Sequence, residues 1–240
     1  MINFRVIAKV FSQIIIIEGL FMLLAAGVSF ISGEHASPLL FSAIITVAIG
    51  VLSFTPLRGE EKLSGIKEGY IILSGAWLIM ALFGTIPYLL THSVNSFTDA
   101  FFESVSGFTT TGATIFTEVE SLSHGLLFWR SITQWLGGLG FIMISLSVLP
   151  VVKSLNIQLT ISDFTGQAAE KINPRIIEVA KRLVVLYIVI TGLEAILLLI
   201  GGMTPFDAVC HSFTTISTGG FSTRDHGIGA YGSPFILIIS

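Results

Sequence analysis

The chain reads as an all-α integral membrane fold: transmembrane helices with re-entrant pore-loop repeats, in the order span, pore helix, extended filter run, span. Three observations predict it. Apolar residues make up 52% of the 240 positions, in blocks long enough to cross a bilayer, which takes about 20 residues of helix. Charged residues are only 11%, against about 25% in a soluble domain, and mean hydropathy is +0.88. A short polar motif also occurs twice, each time just after an apolar block, at 99–112 and again at 207–220.

The first span is expected near 6–31, behind Arg5 and Lys9. Its apolar stretch is too long for the h-region of a cleaved signal peptide, so it reads as a retained anchor. A second span follows near 38–56 and a third near 70–91. Segment 92–124 carries the first motif copy, and a fourth span follows near 125–152. The polar stretch 153–179 reads as a connector or a docking surface, with Pro174 starting the helix that becomes the fifth span, near 180–202. Segment 203–233 carries the second copy, and a sixth span opens at Pro234. The units are an N-terminal hairpin (1–60), a first repeat (61–165) and a second repeat (166–240) that stops inside its last span.

Charge orients these spans. If each crosses once, ten of the twelve basic residues fall on one side, leaving only Arg130 and Arg224 on the other. The positive-inside rule puts the N-terminus in the cytoplasm and both motif copies toward the outside. The near-neutral net charge of −3 gives no reason to expect nucleic acid as a partner. The lipid bilayer is the partner that composition demands.

At a constant offset of 108, Asp99 falls on Asp207, Ser104 on Ser212, Thr110 on Thr218 and Gly112 on Gly220. Each copy opens like a short helix: Ser96 with Asp99, and Thr204 with Asp207, form [ST]-x-x-[DE] capping patterns, and Pro205 sits in a first turn. Such a half-helix entering from outside directs its negative C-terminal end toward the membrane centre, which favours a cation there. Beyond it, carbonyls of the hydroxyl-rich run can replace an ion's hydration shell. The closing glycine permits backbone angles that a side chain would forbid. Irregular backbone at membrane depth is tolerated only where protein buries it or water lines it. Together these parts make a filter for a monovalent cation.

Residues around the motif have more ordinary readings. Cys210 is the only cysteine, which excludes an intramolecular disulfide. His35, His92, His124 and His226 are scattered without zinc spacing. His211 replaces Glu103 of the first copy and is expected to pack behind the run. Arg130, near the outer end of the fourth span, is expected to pair with Glu103, Glu118 or Glu120. Glu18, in the first span, is expected to serve a structural pairing or an interface. Asp99 and Asp207 read mainly as helix-start residues that also attract cations. Gly137, Gly138 and Gly140 suggest close packing of the fourth span on a pore loop. An intramembrane enzyme using Ser106, Ser217 or His211 is disfavoured: the sequence has no paired intramembrane aspartates, no G-x-S-x-G elbow and no metal-ligand helix.

The two copies and their flanks resemble the Trk-type potassium uptake proteins of bacteria, the TrkH branch of the Trk/Ktr/HKT superfamily. The residues that carry the resemblance are Ser106 to Thr114, His211 to Phe213, Ser217 to Thr223, and Gln134 to Gly140. The resemblance implies a potassium-channel-like fold in which four span–pore-loop–span repeats of one polypeptide surround a pore. It implies that backbone carbonyls of Thr110, Thr111 and Gly112, and of Thr218, Gly219 and Gly220, coordinate K⁺ as the transported ion, with no organic cofactor in this chain. It also implies a bacterial inner membrane location, a homodimer and a cytosolic nucleotide-binding regulatory subunit. With two of four quarters, the chain is expected to be the N-terminal half of a protein about twice as long, dependent on a missing C-terminal half. The alternative is a non-conducting scaffold or regulatory half-subunit.

Overall fold

The computed structural model describes residues 2–57, 66–158 and 174–240, with no strand among them. The helices are α1 (Phe4–Ile31), α2 (Ser37–Phe54), α3 (Ile66–Phe83), α4 (Ile86–Leu90), α5 (Phe97–Phe108), α6 (His124–Gln158), α7 (Pro174–Ile200), α8 (Pro205–Ile216) and α9 (Pro234–Ile239). Among the described residues, four stretches are long and apolar enough to cross a membrane: Phe4–Ile31, Ser37–Leu57, Glu68–Leu90 and Glu178–Ile200. They coincide with the first, second, third and fifth expected spans. The fourth lies within α6, a continuous helix of 35 residues. Pro174 opens α7 as expected, while 159–173 of the polar connector lies outside the described residues.

The third span is not one unbroken helix. It stops at Phe83 and resumes at Ile86 because Pro87 has no N–H and its ring conflicts with the carbonyl four residues earlier. At the break, the Gly84 carbonyl accepts a hydrogen bond from the Trp129 indole of α6 at 3.3 Å. Gly84 also lies bare against Ser104 and Phe108, where a Cβ would collide. The interruption thus seats the short α5 between α3 and α6.

α1 and α2 form a tight hairpin, α1 also packing on α3 and α6. The main core lies where hairpin, α4, α5 and α6 converge: Met22, Ala25, Leu39, Ala43, Tyr88, Ala100, Phe108, Leu126, Trp129 and Ile132. A smaller cluster of Leu198, Met203, Ala208 and Ile236 joins α7, α8 and α9. Large apolar side chains outside these cores are exposed in rows, among them Phe30, Ile31, Leu52, Leu78, Leu193 and Ile200. Apolar surface on this scale suits acyl chains or further protein rather than water.

Glu18 is buried, and neither carboxylate oxygen has a hydrogen-bond partner among the described residues. Of the structural pairing or interface expected of it, no pairing is formed there.

Candidate cation-filter site

Both motif copies fold into the same local shape. α5 and α8 are each 12 residues long. Ser96 caps α5 by accepting the Thr98 N–H at 3.2 Å, and Thr204 caps α8 by accepting the Asp207 N–H at 3.1 Å. Each helix then ends in a Schellman motif, the paired closing bonds that satisfy the last carbonyls. In the first copy, Thr110 N–H donates to the Gly107 carbonyl at 3.0 Å and Thr111 N–H to Ser106 at 2.9 Å. In the second, Thr218 N–H donates to Thr215 and Gly219 N–H to Thr214, both at 2.8 Å.

The left-handed residue of a Schellman motif is usually glycine. Here it is threonine in both copies, Thr110 at φ 54° and Thr218 at φ 56°. A β-branched residue with positive φ is a strained conformation of the kind found at functional sites. Two residues on, the backbone turns left-handed again, at Gly112 (φ 75°) and Gly220 (φ 80°). The 108-residue repeat in sequence is therefore also a repeat in backbone conformation. No described residue donates a hydrogen bond to the carbonyls of Thr110, Thr111 and Gly112, or of Thr218, Gly219 and Gly220.

The two runs meet. A Cβ at Gly112 would collide with the Gly219 carbonyl oxygen, so only glycine permits the approach. Around the contact, Thr109 and Thr111 share a hydroxyl–hydroxyl bond of 2.7 Å. Ser106 Oγ donates to the Ala113 carbonyl at 2.5 Å, tying the outgoing strand to its own helix.

Arg130 braces both copies. Its Nε donates to Glu103 Oε1 at 2.9 Å, with the two side chains 1% and 0% exposed. Its Nη2 donates to Thr114 Oγ1 at 3.1 Å and its Nη1 to the Ser222 carbonyl at 3.2 Å. The guanidinium carbon lies 4.3 Å from the Phe221 ring centroid. Glu103 in turn accepts from the Thr114 hydroxyl and from the Ile115 N–H at 3.0 Å. Of the three acids expected for Arg130, the structure selects Glu103. A buried charge requires such pairing and hydrogen bonding to persist.

The second copy uses other groups for the same task. His211 stands where Glu103 does in the first copy, and its Nε2 lies 3.3 Å from the Thr223 hydroxyl. Thr223 Oγ1 donates to Asp207 Oδ1 at 2.6 Å, and Arg224 Nη2 to Asp207 Oδ2 at 3.0 Å. Burial alone would raise the Asp207 pKa, but the bonds from Thr223 and Arg224 hold it below the usual aspartate value. Asp207 is buried and ties down its outgoing loop, whereas Asp99 is exposed at the matching position. Between the copies, Asp225 Oδ1 accepts the Val119 N–H at 2.6 Å and the Glu120 N–H at 3.3 Å.

α6 supports both runs from behind. Gly137 is bare against the Phe108 carbonyl at the end of α5, where a Cβ would collide, and Gly138 lies against Ser217 at the end of α8. A Cβ at Gly140 would meet Trp77 of α3 at 3.7 Å, whereas the close packing expected on the pore loops is present at Gly137 and Gly138. One turn earlier, Gln134 Oε1 accepts the Phe221 N–H at 3.0 Å. The roles of Gln134, Thr114, Ser222, Thr223 and Asp225 escape sequence reasoning.

The family model described as TrkH, cation transport protein, matches residues 23–240. The Trk system potassium uptake protein TrkH of Salmonella typhimurium is 37% identical over 240 residues, covering 99% of this chain and 50% of that protein. The Trk system potassium uptake protein TrkG of Escherichia coli K12 is 34% identical over 185 residues, covering 75% of this chain and 38% of its own length. The crystal structure of the potassium transporter TrkH from Vibrio parahaemolyticus aligns with a TM-score of 0.86 at 33% identity, over 99% of this chain and 48% of that one. The chain spans about half the length of the TrkH relatives it matches. It belongs to the TrkH family of cation transport proteins.

Proposed function

We propose that this chain supplies two of the four quarters of a K⁺ selectivity filter in a potassium uptake protein of the bacterial inner membrane. The observation that carries this reading is the matched backbone: Thr110 and Gly112, and Thr218 and Gly220, all with positive φ at the ends of two capped half-helices. Alternating left-handed residues turn successive carbonyls toward one line, and among the described residues none donates a hydrogen bond to the carbonyls of either run. Such oxygens offset the cost of stripping a monovalent cation of its water. The negative C-terminal ends of α5 and α8 add a favourable field at the same place.

In this reading the N-terminus is cytoplasmic, ions enter past Asp99, and the remaining quarters come from further polypeptide. The full transporter works as a homodimer with a cytosolic nucleotide-binding regulatory subunit, as the family resemblance implies. The test is growth of cells lacking K⁺ uptake at limiting K⁺, rescued by the complete transporter that contains this chain. Gly112→Asp and Gly220→Asp should each abolish rescue while the protein still reaches the membrane. Undiminished uptake in both variants overturns the filter assignment.

A further inference from the structure

One polar group beside the candidate filter has no partner. Gln134 is fully buried, and its Oε1 is committed to the Phe221 N–H. That bond fixes which end of the amide is nitrogen, and Nε2 is left without an acceptor. The atom is covered by other residues of this chain. A buried donor left unpaired costs about 1–3 kcal/mol. Such groups call for an explanation.

Its surroundings supply one. The Gln134 amide lies directly against the Cα of Gly219, where a Cβ would collide with it. Here the Gly219 carbonyl points toward Gly112. The following N–H, of Gly220, points the other way, toward the Thr214 carbonyl at a long 3.4 Å. The Phe221 N–H also points back, to Gln134. A half-turn of the 219–220 peptide exchanges the places of the Gly219 carbonyl and the Gly220 N–H. The carbonyl then leaves the ion path in the direction of the present Gly220 N–H, giving up that N–H's long bond to Thr214, with the Gln134 amide packed beside Gly219. Glycine on both sides of that peptide makes the turn sterically permitted. In the first copy Thr111 stands in place of Gly219, and its hydroxyl is tied to Thr109.

We propose that Gln134 is a positioning residue for the second filter quarter: its free Nε2 captures the Gly219 carbonyl when the Gly219–Gly220 peptide turns away from the ion path. The quarter then has two settings. With an ion present, carbonyl coordination holds the outward setting. Without one, the carbonyl turns back and the orphan donor is satisfied. The first quarter, lacking the glycine pair, stays fixed. This role presupposes that residues 218–220 line the ion path.

The experiment uses the complete transporter in lipid, with glycine carbonyl-¹³C and amide-¹⁵N labels that select Gly-Gly peptides. The Gly219–Gly220 signal is assigned through its loss in Gly219→Ala. Solid-state NMR at saturating K⁺ and with K⁺ withdrawn should show that signal move. In Gln134→Leu and in Gln134→Met, which both remove the donor at similar size, the move should be absent. K⁺ flux after a K⁺-free interval should recover about tenfold faster in both variants, equivalent to about 1.4 kcal/mol. A signal that does not move in the unsubstituted protein, or moves equally in both variants, overturns the proposal. Failure of the underlying filter reading shows separately, as undiminished uptake in Gly112→Asp and Gly220→Asp.

Discussion

Arg130 and Glu103, 27 positions apart, share a 2.9 Å hydrogen bond with both side chains closed off from solvent. The pair holds the base of the first motif copy, and through the Ser222 carbonyl it reaches the second. Removing one partner of a buried ion pair typically costs about 3–5 kcal/mol, because the other charge stays buried alone. Glu103→Gln and Arg130→Met should each destabilise the protein by that order in detergent melting experiments. The double variant should lose clearly less than the sum. Additive losses would show that the two side chains do not depend on each other.

Gly112 and Gly220, matched glycines of the two motif copies, should differ in tolerance. At Gly220, within this chain, an added methyl meets open space, so Gly220→Ala bears mainly the left-handed backbone penalty of about 1–2 kcal/mol. At Gly112 the same penalty applies and the methyl also strikes the Gly219 carbonyl. Gly112→Ala should therefore lose more thermal stability and more K⁺ uptake than Gly220→Ala. Equal losses would contradict the close approach of the two runs.

Thr110 and Thr218 carry strain that glycine would not. Replacing either with glycine removes about 1–2 kcal/mol of left-handed penalty and returns about 0.5–1 kcal/mol through added freedom of the unfolded chain. Thr218→Gly should thus leave stability unchanged or raise it by up to about 1.5 kcal/mol, while K⁺ over Na⁺ discrimination falls. A variant both less stable and equally selective would remove any functional reading of the strain.

Acid should weaken the second copy through Asp207. Its pKa is lowered in the folded state, because the Thr223 and Arg224 bonds outweigh the effect of burial. The stability it contributes is fully present above the unfolded aspartate value of about 3.9 and is lost as pH falls through the folded value. Thermal melting from neutral pH to about pH 5 should show no change from this group. Below about pH 4 the unsubstituted protein should lose stability more steeply than Asp207→Asn. Identical acid limbs would assign the loss to other carboxylates.

The spans and the repeat were readable because they are set by local chemistry. Runs of apolar residues and a 108-residue offset need no knowledge of neighbours, and the caps at Ser96 and Thr204 lie within three residues of the groups they bind. Contacts between segments were legible only as short lists of options. Arg130 had three acids within plausible reach, and only packing chose Glu103. Asp99 and Asp207 look alike in sequence, yet one is exposed and the other buried, because Thr223 and Arg224 follow the second copy where Ile115 and Phe116 follow the first. Gln134 carried no signal of its own, since a glutamine in an apolar helix announces burial but not which amide it meets. The break at Pro87 was visible as a residue and missed as a consequence, because the neighbouring apolar run read as one continuous span.

The clasp from Asp225 to the Val119 N–H joins positions 106 residues apart. At a synthesis rate of 5–20 residues per second, the later residue emerges roughly 5–20 s after the earlier one. Through that interval the loop around Val119 lacks this clasp, and Arg130 lacks its contact to Ser222. During biogenesis the first motif copy therefore waits in an incomplete form, with its final shape conferred by chain that has yet to leave the ribosome.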